Sequence, residues 1–135
     1  MKKPIHTACI IDDDDAYVYL TKRIILMKQL CNNLLIYENG RIAMHELSHL
    51  LEYEDDFPEL ILLDINMPEM DGWQFLDEFT KIKPRLNKQV TIYMVSSSVD
   101  ERDVEEAKKY EAVTSYIVKP IDFPRLAELF GVKPD

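Results

Sequence analysis

Five short apolar runs divide this chain: Ala8–Ile11, Leu34–Tyr37, Leu60–Leu63, Thr91–Val95 and Ser115–Val118. They mostly lack polar alternation, the pattern of strands covered on both faces. Between them, apolar residues recur at three- and four-residue spacing, which predicts amphipathic helices. Tyr17, Leu20, Ile24, Met27 and Cys31 mark the first, and Ala43, Leu47, Leu50 and Leu51 the second. Phe75, Leu76, Phe79 and Ile82 mark the third, Val104, Ala107 and Glu111 a weaker fourth, and Phe123, Leu126, Ala127 and Phe130 the fifth. Strands alternating with helices predict an α/β fold, a doubly wound five-stranded parallel sheet with five helices on its two faces.

Length and charge narrow this further. At 135 residues the chain fits one domain, 1–135, with room for one helix after the last strand and none for an output domain. A net charge of −9 disfavours nucleic acid and anionic membrane surfaces as partners. No segment approaches the length of a membrane span, and the Met1-Lys2-Lys3-Pro4 start lacks an apolar signal core. Cys9 falls in a strand pattern and Cys31 at the end of a helix pattern, so both read as buried thiols in a reducing, cytoplasmic compartment.

The chemistry gathers where strands stop. Asp12 and Asp13 follow the first run directly, and Asp64 closes the third. In a doubly wound sheet those strands are neighbours at the carboxyl edge, where open α/β sheets bind their ligands. Three converging carboxylates repel one another unless a hard cation joins them, and magnesium fits oxygen donors that leave room for a phosphate. Asp64, delivered by Leu60-Ile61-Leu62-Leu63, is placed as a nucleophile toward a phosphoryl group. Ser96 ends the fourth strand and Lys119 the fifth, a hydroxyl and an ammonium able to hold phosphoryl oxygens. Ser97 and Ser98 leave the serine register open, while Asp14 and Asp15 read as caps of the next helix.

These residues resemble the receiver domains of two-component response regulators, the CheY-like family. The likeness is carried by Ile10-Ile11-Asp12-Asp13, by Leu63-Asp64-Ile65-Asn66-Met67-Pro68 with Met70-Asp71-Gly72, and by Tyr116-Ile117-Val118-Lys119-Pro120. The resemblance implies a flavodoxin-like sheet of order 2-1-3-4-5. It implies Asp64 as phosphoacceptor, and Asp12, Asp13, Asp64 and the backbone carbonyl of Asn66 as magnesium ligands. Ser96 becomes the switch hydroxyl, Tyr116 the switch aromatic, and Lys119-Pro120 a cis peptide. A phosphohistidine on a sensor histidine kinase or phosphotransfer protein would be the donor. A downstream protein would read the face of helix 4, strand 5 and helix 5, and catalysis would go no further than the domain's own phosphorylation and dephosphorylation. Asn66 and Ser98 lie close enough to the acceptor to influence hydrolysis.

The sequence departs from the family pattern in three places. A serine stands at the switch position, the Asp13-to-Asp64 interval is long, with its surplus in the second helix and the acidic run Glu52–Asp56, and one residue is added near Val113-Thr114. Two rival readings use the same residues. One is a small haloacid-dehalogenase-like phosphatase with its nucleophile in the Asp12–Asp15 run, and the other a receiver-shaped scaffold that takes no phosphate. His45-Glu46-Leu47-Ser48-His49 also matches the His-Glu-x-x-His pattern of zinc peptidases, but only His6 remains as a third imidazole.

Overall fold

The computed structural model describes residues 5–97 and 100–132. Five parallel strands, β1 (Ile5–Ile11), β2 (Cys31–Tyr37), β3 (Leu60–Asp64), β4 (Thr91–Ser96) and β5 (Val113–Val118), lie in the order β2-β1-β3-β4-β5. Five helices connect and follow them: α1 (Asp15–Met27), α2 (Gly40–His49), α3 (Gly72–Ile82), α4 (Glu101–Ala107) and α5 (Phe123–Leu129). Strand side chains alternate between two cores. Cys9, Ile11, Ile61 and Leu63 pack with Leu47 of α2 and Phe75 and Phe79 of α3, whereas Ala8, Ile10, Leu60 and Leu62 pack with Ile25 of α1, Leu126 of α5 and Phe130 just after it.

Each of these five α-helices begins on an Asp or Asn whose side chain accepts a backbone N–H of the first turn. These caps are Asp14, Asn39, Asp71, Asp100 and Asp122, and such a cap stabilises by about 1 kcal/mol. Asp71 forms a full capping box, since its Oδ1 accepts the Gln74 amide at 2.8 Å and Gln74 Oε1 accepts the Asp71 amide at 2.9 Å.

The structure corrects the reading of α1 and of the segment after it. The apolar stripe Leu20–Ile24–Met27 is not the buried one, because Tyr17, Thr21 and Ile25 face the sheet and Leu20 and Met27 are 60% and 68% exposed. Cys31 does not end α1 but opens β2. The helix stops four residues earlier, with Gln29 at φ 52°, the Leu30 amide donating to Ile25 O at 3.0 Å and the Gln29 amide to Leu26 O at 3.3 Å. That pair of bonds is a Schellman ending. In the second and fourth helices, Leu50, Leu51 and Glu111 lie beyond the helix ends. Near Val113, where the sequence reads as one residue longer than the family pattern, β4 and β5 pair with a register shift: Ile92 lies opposite Val113 and Tyr93 opposite Ser115, so that Thr114 is skipped.

Candidate functional site

At the carboxyl edge, β1 delivers Asp12 and Asp13 and β3 delivers Asp64. One oxygen from each of the three lies within 4.8 Å of the others, an all-oxygen donor set suited to a hard divalent cation. Asp12 and Asp64 are buried, 3% and 6% exposed, whereas Asp13 faces solvent. Lys119, held at the end of β5 by the hydrogen bond its amide donates to Ser96 O (2.8 Å), reaches into this cluster. Its Nζ stands 2.8 Å from Asp12 Oδ2, 3.7 Å from Asp64 Oδ1 and 3.9 Å from Asp14 Oδ2. In this state the ammonium is paired primarily with Asp12.

Burial and the neighbouring Asp12 carboxylate push the Asp64 carboxyl up to about 7, against a lesser pull from Lys119. The Asn66 amide hydrogen-bonds the same carboxylate and favours its charged form. Burial also raises Asp12, opposed by its hydrogen bonds from Lys119 and from the Asp14 amide, the latter 2.9 Å long. Bringing these carboxylates together therefore costs free energy that a cation would return.

The other predicted residues lie at the same edge or beside it. Ser96 ends β4 and is fully buried, whereas Ser97 is exposed, and Ser98 lies outside the described residues. Tyr116 is half-buried on β5 and lines a groove of about 320 Å³ with Val104, Ala107 and Lys108 of the α4 segment. The Lys119–Pro120 peptide is cis. His6 is remote from the histidines of α2 in bonding terms, since its ring nitrogens contact Asn32 and Asn33 on β2.

Sequence reasoning placed Tyr17 only in a packing stripe. It is a neighbour of the site, with Lys119 Nζ 4.4 Å from the centre of its buried ring. Its position one turn after the acidic run was the available signal. Beside it opens a mainly apolar groove of about 590 Å³, lined by Leu20, Ile24 and Met27 of α1 and by Lys119, Pro120 and Ile121.

Gly72 packs closely under the loop that follows Asp64. Its amide donates to Ile65 O at 2.8 Å, and a Cβ there would stand 2.6 Å from the Asp64 carbonyl oxygen. Gly72→Ala is expected to destabilise by about 1–3 kcal/mol, the usual cost of overpacking, read as a lower urea midpoint at unchanged slope.

Residues 8–130 match the family described as the response regulator receiver domain. Chemotaxis protein CheY of Bacillus subtilis is 32% identical over 119 residues, covering 88% of this chain and 90% of that protein. Response regulator Rcp1 of Synechocystis sp. is 32% identical over 118 residues, 86% of this chain and 78% of that protein. A solved response regulator of that name is described as its manganese-bound form, with a TM-score of 0.73 and 27% identity over 93% of this chain and 88% of that one. The crystal structure of a two-component response regulator from Cytophaga hutchinsonii superposes with a TM-score of 0.83 at 32% identity, covering 96% of each chain.

Proposed function

The chain belongs to the response regulator receiver domain family, and on that premise we propose that Asp64 is its phosphoacceptor, served by a phosphohistidine of a sensor histidine kinase or phosphotransfer protein. One observation carries this reading: three carboxylates of two adjacent strand ends meet within 4.8 Å, with the Lys119 ammonium among them. Asp12, Asp13, Asp64 and the Asn66 carbonyl would hold a magnesium ion, whose positive charge would offset that of the transferring oxygens. The manganese-bound relative supports an ion of this hard class.

Asp64 Oδ forms the new O–P bond as the P–N bond to the donor imidazole breaks, and the leaving imidazole takes up a proton. Lys119 pairs with a phosphoryl oxygen once Asp64 has lost its free carboxylate. The Ser96 hydroxyl donates to a second phosphoryl oxygen, and Tyr116 follows it inward toward the groove against α4. The face of α4, β5 and α5 then shifts its population toward a state that a downstream protein reads. The donor docks on the apolar groove beside α1, where Leu20 and Met27 stand exposed next to Lys119. A chain with these roles is a signalling receiver that acts chemically only on its own phosphoryl group. Among the described residues no helix is long and apolar enough to cross a membrane.

Intact mass after incubation with a small acyl phosphate tests the reading. One phosphoryl adduct with magnesium and none with EDTA is expected, and an adduct that persists in EDTA would defeat the metal assignment.

Tyr17 supplies a subtler test. A cation over an aromatic face is worth about 0.5–2 kcal/mol, roughly 2- to 30-fold in rate if the whole of it positions Lys119. Tyr17→Leu is expected to slow phosphorylation within that range, whereas Tyr17→Phe, which keeps the ring, stays near wild type in the same assay.

A further inference from the structure

Two imidazoles on α2 are left unused by the receiver chemistry. His45 and His49 lie four residues apart on the exposed side of the helix, away from the buried Ala43 and Leu47. Their ring centres are 4.8 Å apart and their planes stand at 81°. Two imidazoles bound to one ion at about 2.0–2.1 Å, at angles between square-planar and tetrahedral, put ring centres roughly 4.5–5 Å apart. The two rings therefore already stand at a centre-to-centre spacing that one shared ion would require.

The surroundings favour a cation. Among the described residues, neither ring enters a hydrogen bond or an ion pair, so their nitrogens keep their lone pairs available. His49 sits in the last turn of α2, where the helix dipole favours positive charge. The acidic run Glu52–Asp56 follows immediately and adds negative field. Arg41, one turn earlier than His45, is drawn toward Glu69 at 3.5 Å.

We propose that His45 and His49 form a two-imidazole site for a borderline divalent transition-metal ion such as zinc, copper(II) or nickel, with water in its remaining positions. Nitrogen donors select these ions over magnesium, so the chain carries two metal chemistries on separate ligand sets, and this one does not depend on the receiver reading. The site is a binding site rather than a peptidase centre. A catalytic zinc keeps three protein ligands, and the third imidazole, His6, is engaged with Asn32 and Asn33 on β2.

The test is a titration of the full chain with zinc chloride, followed by the ring-proton resonances of its three histidines. Those of His45 and His49 are expected to move together and His6 to stay still, in wild type and equally in Asp13→Asn, which weakens the carboxylate site. In H45Q the zinc concentration that half-shifts His49 should rise at least tenfold, and H49Q should do the same to His45. A smaller rise in either variant means that each imidazole binds alone, and overturns the proposal. So does a response of the pair that disappears in Asp13→Asn. The substitutions lie on an exposed helix face, and unchanged far-ultraviolet circular dichroism identifies them as folded.

Discussion

Asp64→Asn is expected to yield no phosphoryl adduct under conditions that fully modify the wild type, and at the same time to melt higher in EDTA at pH 8. The first effect follows from removing the oxygen proposed as the nucleophile. The second follows from linkage. The folded Asp64 carboxyl titrates near 7 against an ordinary value of 3.8. Between those values the folded chain holds a proton that the unfolded chain has released. The contribution of Asp64 to metal-free stability therefore falls as pH rises from about 4 toward about 7, and levels off above it. An amide at this position carries no charge to desolvate beside Asp12 and escapes the penalty. On the proposed reading magnesium should reverse the ranking, since an ion held by the folded carboxylates would stabilise the wild type by mass action. Thermal melts of both proteins at pH 5 and pH 8, with magnesium and with EDTA, check the full pattern. A variant less stable than wild type in EDTA at pH 8 would show that the carboxylate is not strained in the metal-free fold.

Phe75→Ala should have the largest effect on stability. Phe75 has no exposed surface, and its ring stacks with that of Phe79 at 6.2 Å between α3 and the sheet. Truncating a buried phenylalanine costs about 3–5 kcal/mol through lost transfer free energy and the cavity left behind, against a total of about 5–15 kcal/mol for a typical domain. Urea denaturation should show a midpoint lowered by a large fraction of its wild-type value. Tyr53→Ala is the control. Its side chain is 61% exposed, so a change within about 0.5 kcal/mol is expected.

The sheet and the ligand edge were legible in the sequence because buried parallel strands cannot hide. Leu60-Ile61-Leu62-Leu63 has no alternation since both its faces are covered, and a carboxylate directly after it has only the sheet edge to occupy. The α1 stripe was not legible, because apolarity does not say which way a face points. Leu20, Ile24 and Met27 make as good a stripe as Tyr17, Thr21 and Ile25, and the buried threonine disguises the true one. The end of α1 was hidden for another reason. The same ending closes α5, where Gly131 takes φ 74° and the Val132 amide bonds Ala127 O at 2.8 Å. A glycine announces that turn, whereas Gln29 in α1 does not. Tyr110 was missed as well. It stacks on Trp73 at 5.8 Å and donates its hydroxyl to Asp77, tying α3 to the segment after α4, and neither aromatic periodicity nor local spacing signals a pair so distant in sequence.

The outward apolar side of α1 has a consequence for handling the protein. Tyr19, Leu20, Leu26 and Met27 all stand more than half exposed on one helix, a surface that promotes self-association when nothing covers it. The excess of nine negative charges opposes that by mutual repulsion between copies. Repulsion of this kind fades as salt shortens the Debye length from about 10 Å at 0.1 M to about 3 Å at 1 M, while the attraction between apolar surfaces does not. Long-range charge thus opposes association through this apolar side, and the chain is expected to stay dispersed better in dilute buffer well above its isoelectric point than in concentrated salt.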